Sequence, residues 1–292
     1  MSLYFTSLNS GSNGNCYYIG NDREAVLVDA GISCRETERR MARLGLDMGK
    51  VKAIVVSHEH VDHIRGIPVL SKKYDLPVFI TEATLRHSGM QLEGRAFSAG
   101  EAIEIGDLHI QPFVKYHDAA DPHSFLISCG QARVGVFTDI GRPCGELARH
   151  FSMCHAAFLE TNYDTEMLDK GRYPIFLKNR IRGGHGHLSN NEALEVFLRH
   201  RTRHLSHVLL SHLSQDNNDP DLVHSLFSRH ANGTEIVVAG RYAETPVFHI
   251  NPSEAPLPPV HLSIPQQPAI LPQPVNGKKK TNENRPVQTS LF

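Results

Sequence analysis

The segment VKAIVVSHEHVDHIRGIP, which begins at Val51, constrains the fold of this chain more than any other feature. Its apolar run over residues 53–56 is typical of a buried parallel strand, and the residues from Asp62 onward predict the start of a helix. Four polar side chains stand close together after the strand: His58, His60, Asp62 and His63. Because α/β sheets bind ligands beyond the carboxyl ends of their strands, this segment predicts a functional site.

The HxHxDH spacing of these residues favours metal binding. Histidines at positions i and i+2 of a tight turn can aim two imidazole nitrogens at one point, while Asp62 and His63 aim at a second point. Packing so many partly charged groups together costs free energy of desolvation unless something binds them. The spacing therefore predicts ligands for two adjacent metal ions.

The composition is that of an ordinary soluble globular protein. Of its 292 residues, 40% are hydrophobic and 21% are charged, and the formal net charge is -1, so any nucleic-acid surface must be a local patch. The five cysteines show no CxxC spacing, which argues against a disulfide framework and a thiolate zinc site. With no signal-peptide pattern and no apolar run of about 18 residues, we expect a cytoplasmic protein without a membrane anchor.

Strand and helix patterns alternate up to about Ile250. Among the predicted elements are strands over Ala156–Glu160 and His207–Ser211 and helices over Ile67–Tyr74 and Gly145–Phe151. Two strand-rich halves, each with helices, predict an α/β fold in which two sheets pack together and helices cover both outer faces. We assign residues 1–250 to this domain.

The composition changes after Ile250. Nine of the 17 prolines lie between Pro252 and Pro286, and no strand or helix period is present, so residues 251–292 are predicted to be a disordered tail. The tail ends in QTSLF, which resembles the short peptide that bacterial DNA polymerases and repair proteins insert into the sliding clamp. The residues expected to contact a clamp are Gln288, Leu291 and Phe292.

A pair of metal ions needs more than four protein ligands, so other strand ends should supply them. His117 and Asp118 follow a strand in VKYHDAADPHSF, and Asp139 follows the strand in RVGVFTDIGRP. His187 lies in a glycine-rich loop before a helix, and His212 comes just after a strand. Their common position at strand ends favours one shared site.

Together these residues resemble a known family. SHEHVDH, preceded by Asp29 in VLVDAG and followed by His117, Asp139 and His212, is similar to the metallo-β-lactamase-fold superfamily. The segments SGSNGN, HDAADP, TDIG, GHLSN and SHLSQDNN more narrowly resemble the YycJ/WalJ-type phosphodiesterases and exonucleases. The resemblance covers residues 3–250 and implies the αββα four-layer sandwich of two mixed sheets flanked by helices.

The resemblance also implies a ligand set for two divalent ions of zinc, manganese or iron. The implied ligands are His58, His60 and His117 for the first metal, Asp62, His63 and His212 for the second, and Asp139 as the bridge. Asp29 would orient a ligand histidine rather than bind metal itself. Asp118 remains an alternative to His117, and His185 remains an alternative to His187.

The implied reaction is phosphodiester hydrolysis. A hydroxide activated by the two metals would attack phosphorus, with Asp62 or Asp139 as the proton acceptor. His187 resembles the histidine that contacts phosphate or protonates the leaving group in related phosphodiesterases. The candidate contacts to substrate phosphate are Ser12, Asn15 and Asn217. We therefore predict a DNA nuclease, 5′–3′ exonuclease-like, that acts in DNA repair or replication.

Two alternatives use the same fold. A small-molecule phosphodiesterase, lactamase or thioesterase would share the core ligands, although no helical substrate domain of the glyoxalase type follows the last ligand. A non-catalytic regulator would be expected to have lost ligands, and the sequence lacks none of them. Metal content and assays on different ester classes would discriminate between these functions.

Overall fold

The computed structural model of the protein describes residues 1–252. Its strands are β1 Leu3–Asn9, β2 Cys16–Gly20, β3 Ala25–Val28, β4 Val51–Val55, β5 Val78–Phe79, β6 Gly94–Arg95, β7 Ile103–Ile105, β8 Leu108–Val114, β9 His123–Cys129, β10 Ala132–Phe137, β11 Ala156–Glu160, β12 His207–Ser211, β13 Glu235–Val238 and β14 Phe248–Ile250. Its α-helices are α1 Cys34–Arg43, α2 Val61–Ile64, α3 Ile67–Tyr74, α4 Glu82–Ser88, α5 Gly145–Phe151, α6 Thr165–Lys170, α7 Ile175–Ile181, α8 Asn190–His200 and α9 Pro220–Ser228.

The strands form two seven-stranded mixed sheets that pack face to face. The first sheet has the order β14-β1-β2-β3-β4-β5-β6, and the second has the order β13-β12-β11-β10-β9-β8-β7. The layer between them is apolar; the rings of Tyr17 and Phe158, one from each sheet, lie 4.8 Å apart. Met41 of α1 packs on the outer face of the first sheet, and Phe197 of α8 packs on the outer face of the second. This αββα sandwich confirms the predicted fold class.

Parallel strands bring several strand ends to one edge of each sheet. In the first sheet β4 pairs in parallel with β3 and β5, and in the second β11 pairs in parallel with β10 and β12. Both faces of this segment are buried, because Ala53 and Val55 of β4 face the other sheet while Ile54 and the following Val56 face the helices. Such burial explains the uninterrupted apolar run that precedes the histidine cluster.

Several predicted elements agree with the structure. Strands β11 and β12 and helices α3 and α5 have the predicted bounds. The prediction lacked α4, α6, β6 and β7; of these, β6 has two residues and cannot show an alternating pattern. No helix within residues 1–252 is long and apolar enough to span a membrane.

The predicted tail begins at the edge of the described part of the chain. Strand β14 ends at Ile250, and the described residues end two positions later. The predictions of disorder and of a clamp-binding peptide at Gln288, Leu291 and Phe292 concern residues that lie outside this part.

Candidate metal centre

The segment after β4 turns sharply into α2, and backbone hydrogen bonds hold the turn in place. The Asn15 N–H donates to the Asp62 carbonyl oxygen at 2.7 Å, and the Ala30 N–H donates to the His63 carbonyl oxygen at 2.8 Å. These bonds tie the turn to the loops that follow β1 and β3. The four polar side chains of the turn are therefore presented from an anchored backbone.

Three imidazole rings meet at one side of the turn. His58 Nε2 lies 3.0 Å from His60 Nδ1, and His117 Nε2 lies 3.3 Å from the same atom. His58 and His117 are buried, whereas His60 is partly exposed. Imidazole nitrogens that converge in this way are a common zinc-type ligand group. This is the group expected for the first metal.

A second group lies beside the first, with Asp139 between them. Asp62, His63 and His212 offer ligand atoms within 4.8 Å of one another. Asp139 Oδ2 lies 3.2 Å from His63 Nε2, and Asp139 Oδ1 lies 3.8 Å from His117 Nε2. Asp139 therefore approaches both groups, as a bridging carboxylate must.

The donor atoms of the cluster fit metal ions. His212 Nε2 and Asp139 Oδ2 are buried and have no hydrogen-bond partner among residues 1–252. A buried polar atom left unpaired costs about 1–3 kcal/mol, which a bound cation would offset. Imidazole and carboxylate donors suit zinc, manganese and iron. The residues that would hold the ions are His58, His60 and His117 on one side, Asp62, His63 and His212 on the other, and Asp139 between them.

A buried hydrogen-bond relay orients two of these histidines. Asp29 Oδ2 accepts hydrogen bonds from His63 Nδ1 and from Ser57 Oγ, both at 2.7 Å. Since Ser57 Oγ donates to Asp29, it accepts from His58 Nδ1 at 2.9 Å. Both histidines thereby keep the Nε2 lone pair directed at the centre, which metal binding requires. An orienting rather than a ligating role for Asp29 stays a prediction.

Glu160, at the end of β11, also belongs to the cluster, although it was not among the predicted site residues. Its side chain is buried, and Oε1 accepts hydrogen bonds from His187 Nδ1 at 2.8 Å and from His212 Nδ1 at 2.9 Å. Oε2 accepts from the Ile140 N–H at 2.6 Å. The available signal was an acidic residue at the end of an apolar strand, AAFLE, where a buried charge needs partners.

Three cluster residues share an unusual backbone conformation. Asp29, Asp139 and His212 directly follow or nearly follow β3, β10 and β12, and their φ angles are 60°, 56° and 58°. This left-handed conformation costs roughly 1 kcal/mol or more for a residue with a side chain. It occurs at functional sites, where it turns a side chain at a strand end into the site.

The sequence left two choices open, His117 or Asp118 and His187 or His185. In each pair, the two residues have different surroundings in the structure. His117 lies in the first ligand group, whereas the Asp118 carboxylate forms an ion pair with Arg180. His187 lies beside Asp139, Glu160 and His212, with which it offers ligand atoms within 4.8 Å of one another, whereas His185 is exposed and belongs to no such group of the described residues. The geometry therefore favours His117 and His187 as members of the site.

The predicted phosphate contacts differ in their exposure. Ser12 is exposed in the loop after β1, but Asn15 and Asn217 are buried. The Asn15 amide donates to Asp62 Oδ2 at 3.1 Å, and the Asn217 amide lies 3.4 Å from Ser214 Oγ. Of the three predicted contacts, Ser12 alone is open to a substrate.

Carboxylates concentrate negative charge in one half of the cluster. Burial by itself would lower the pKa of His212, but the charge of Asp139 and the nearby carboxylates of Asp62 and Glu160 raise this pKa to about 10. In the other half, burial lowers the pKa of His117 to about 3. The buried carboxylates therefore favour positive charge in the second group, which a bound cation would supply.

Comparisons with known proteins agree with this geometry. Residues 10–213 match the model of the metallo-beta-lactamase superfamily. The chain is 37% identical over 229 residues to exodeoxyribonuclease YycJ of Bacillus anthracis, which covers 76% of this chain and 86% of the relative. It is 31% identical over 228 residues to exodeoxyribonuclease WalJ of Streptococcus pneumoniae, which covers 75% of this chain and 85% of the relative.

A solved structure shares the fold at low sequence identity. The metallo-beta-lactamase fold protein YhfI from Bacillus subtilis superposes with a TM-score of 0.65 at 16% identity, over 84% of this chain and 99% of that chain. The family match and the identity to YycJ confirm the resemblance that the motifs carried. This chain therefore belongs to the metallo-beta-lactamase superfamily and, within it, to the family that includes YycJ and WalJ.

Proposed function

We propose that this protein is a metal-dependent DNA nuclease with 5′–3′ exonuclease-like action. The observation that carries the proposal is the pair of ligand groups joined by Asp139, because two adjacent divalent ions suit phosphodiester cleavage. Relatives that the chain matches over most of their length are named exodeoxyribonucleases, which supports DNA as the substrate class.

The roles of the side chains follow from their positions. When bound, the two metal ions supply positive charge to the phosphoryl oxygens and lower the pKa of water. Asp62 and Asp139 place carboxylate oxygens at the centre, where either can accept a proton from the attacking water. Asp29 accepts a hydrogen bond from His63, and Glu160 accepts hydrogen bonds from His187 and His212. These bonds fix the orientations of the three rings.

His187 is positioned to donate a proton to the leaving oxygen. Glu160 holds its Nδ1, so the ring turns Nε2 away from this carboxylate. The His187 side chain is 22% exposed, whereas those of His63, His117 and His212 are at most 4% exposed, so His187 stands on the open side of the cluster. A substrate would therefore reach His187 before it reached the buried histidines.

The test is cleavage of end-labelled DNA by protein supplied with Mn²⁺ or Zn²⁺. We expect mononucleotides to be released stepwise from the 5′ end, with no cleavage after the metals are removed. Parallel assays with a lactam and an acyl-thioester address the other hydrolase classes. Hydrolysis of the lactam or the thioester by a protein that leaves DNA uncleaved would contradict the proposal.

We also propose a sliding clamp as a partner, through Gln288, Leu291 and Phe292. The sequence QTSLF carries this proposal, since a glutamine and a terminal apolar pair match the clamp-binding pattern. Tethering would raise the local concentration of DNA for a protein whose net charge of -1 gives little affinity for it. A role in DNA repair or replication, and a cytoplasmic location, would follow.

The clamp proposal predicts micromolar binding of the full-length protein to a bacterial sliding clamp. Replacing Leu291 and Phe292 by Ala should abolish that binding, because the apolar pair would no longer fill the clamp pocket, and should leave cleavage of free DNA unchanged. Calorimetry measures the binding. Equal heats for the wild type and the double variant, or none for either, would refute the proposal.

A further inference from the structure

A stacked pair of exposed side chains lies beside the metal centre and has no part in it. The guanidinium carbon of Arg142 lies 3.9 Å from the centroid of the Tyr116 ring. We propose that this pair, called the stacking platform below, supports the base of a nucleotide that flanks the phosphate to be cleaved. The inference rests on the proposed function and names a part of the substrate that this site would recognise.

The platform stands on the same loops as two candidate ligands. Tyr116 directly precedes His117, and Arg142 follows Asp139 by three positions. Tyr116 is 40% exposed while His117 is 5% exposed, so consecutive side chains point outward and inward. The platform is therefore at the rim of the centre, where nucleotides adjacent to a bound phosphate must pass.

Close backbone packing fixes the position of the platform. The Gly141 N–H donates to the Tyr116 carbonyl oxygen at 2.6 Å, which joins the two loops. A Cβ on Gly141 would lie 2.5 Å from His185 Cα and 2.6 Å from the Gly184 carbonyl oxygen, so only glycine fits there. The loop that leads to His187 is thus locked against the platform. A base resting on it would have a fixed position relative to the cluster.

The charge of Arg142 is not neutralised by a neighbour. Among residues 1–252 no carboxylate forms an ion pair with Arg142, although the nearby Arg180 is paired with Asp118. An exposed guanidinium attracts the DNA backbone, and its flat face stacks on bases as well as on tyrosine. Stacking of this kind tolerates any base, because every base has a π-face.

A platform of this type needs a base with a free face. Bases inside a duplex are covered by their neighbours on both sides, whereas unpaired bases at a strand end can turn outward. The platform is therefore suited to a single-stranded DNA end. It would hold that end while the adjacent phosphate lies at the metal centre.

The test compares two single-stranded oligonucleotides with the metal-loaded, full-length protein. They differ only at the two nucleotides that flank the first phosphate, which carry normal bases in one and abasic residues in the other. The wild type should prefer the normal strand by about 5- to 150-fold in kcat/KM, the range that corresponds to one stacked base. Arg142→Ala and Tyr116→Leu should reduce this preference toward 1, mainly through KM.

Two further variants separate stacking from charge and from folding. Arg142→Lys keeps the charge but not the flat face, so it should lose the base preference while its KM keeps the salt dependence of the wild type. Arg133→Ala is the control: Arg133 lies near the start of β10, roughly 13 Å along the strand from Phe137, where the strand ends before Asp139. This control should keep the wild-type preference.

Failure of the platform and failure of the nuclease function look different. If the wild type cleaves both oligonucleotides with equal kcat/KM, or if Arg142→Ala keeps the full preference, the platform is refuted and the nuclease proposal stands. If the metal-loaded wild type cleaves neither oligonucleotide, the proposed function fails and the platform fails with it.

Discussion

Replacing Asp139 by Asn is expected to reduce metal content and to remove most of the activity. Asp139 is 1% exposed, and its two oxygens approach His63 and His117 from both ligand groups. Removing one charge from a buried ionic network costs about 3–5 kcal/mol, which corresponds to roughly 10²–10⁴-fold weaker metal binding. We expect elemental analysis to give two metals per chain for the wild type and fewer for Asp139→Asn, with turnover reduced by a similar factor.

Backbone strain does not complicate this comparison. Asp139 has a φ of 56°, and asparagine tolerates the left-handed conformation as well as aspartate does. Asp75 is a matched control, because its φ is 52° and it caps the end of α3 in an exposed position. Asp75→Asn should leave metal content and turnover at wild-type levels. Full activity in metal-free wild-type protein would contradict the assignment of Asp139 and of the whole cluster.

His187→Ala is expected to lower the turnover of DNA by about 10²–10⁴-fold without loss of metal. A positioned general acid usually contributes a factor of this size. His187 suits the role because its side chain is partly exposed and Glu160 accepts a hydrogen bond from its Nδ1. Steady-state cleavage and elemental analysis on the same preparation measure the two quantities. His230→Ala, which removes an exposed histidine after α9, serves as the control.

A change of leaving group distinguishes a proton donor from a metal ligand. A nucleotide ester of p-nitrophenol releases a stable anion that needs little protonation, so His187→Ala should impair its hydrolysis far less than that of DNA. Loss of a metal ion in His187→Ala would instead make His187 a ligand. A larger loss of activity in His185→Ala than in His187→Ala would reverse the choice between these neighbours.

Local sequence was sufficient for the fold class and for much of the site. The apolar run of β4 is uninterrupted because both of its faces are buried, and this pattern needs no knowledge of distant residues. The HxHxDH spacing places its ligands within one turn, so it is visible in a single segment. Short elements such as β6 and α6 escaped prediction, because their formation depends on neighbouring strands and loops rather than on their own periodicity.

Tertiary structure decided which of the remaining polar residues share the site. Glu160 ends a strand and Asp29 directly follows one, but only the parallel pairing of β10, β11 and β12 places Glu160 between His187 and His212. The sequence allowed Asn15 to face a substrate, yet the packing of its loop buries it against Asp62. The position of a strand end can be predicted from the local sequence. The partner of a buried charge at that end depends on the order of strands in the sheet. Residues tens of positions apart must meet there to offset the cost of desolvation.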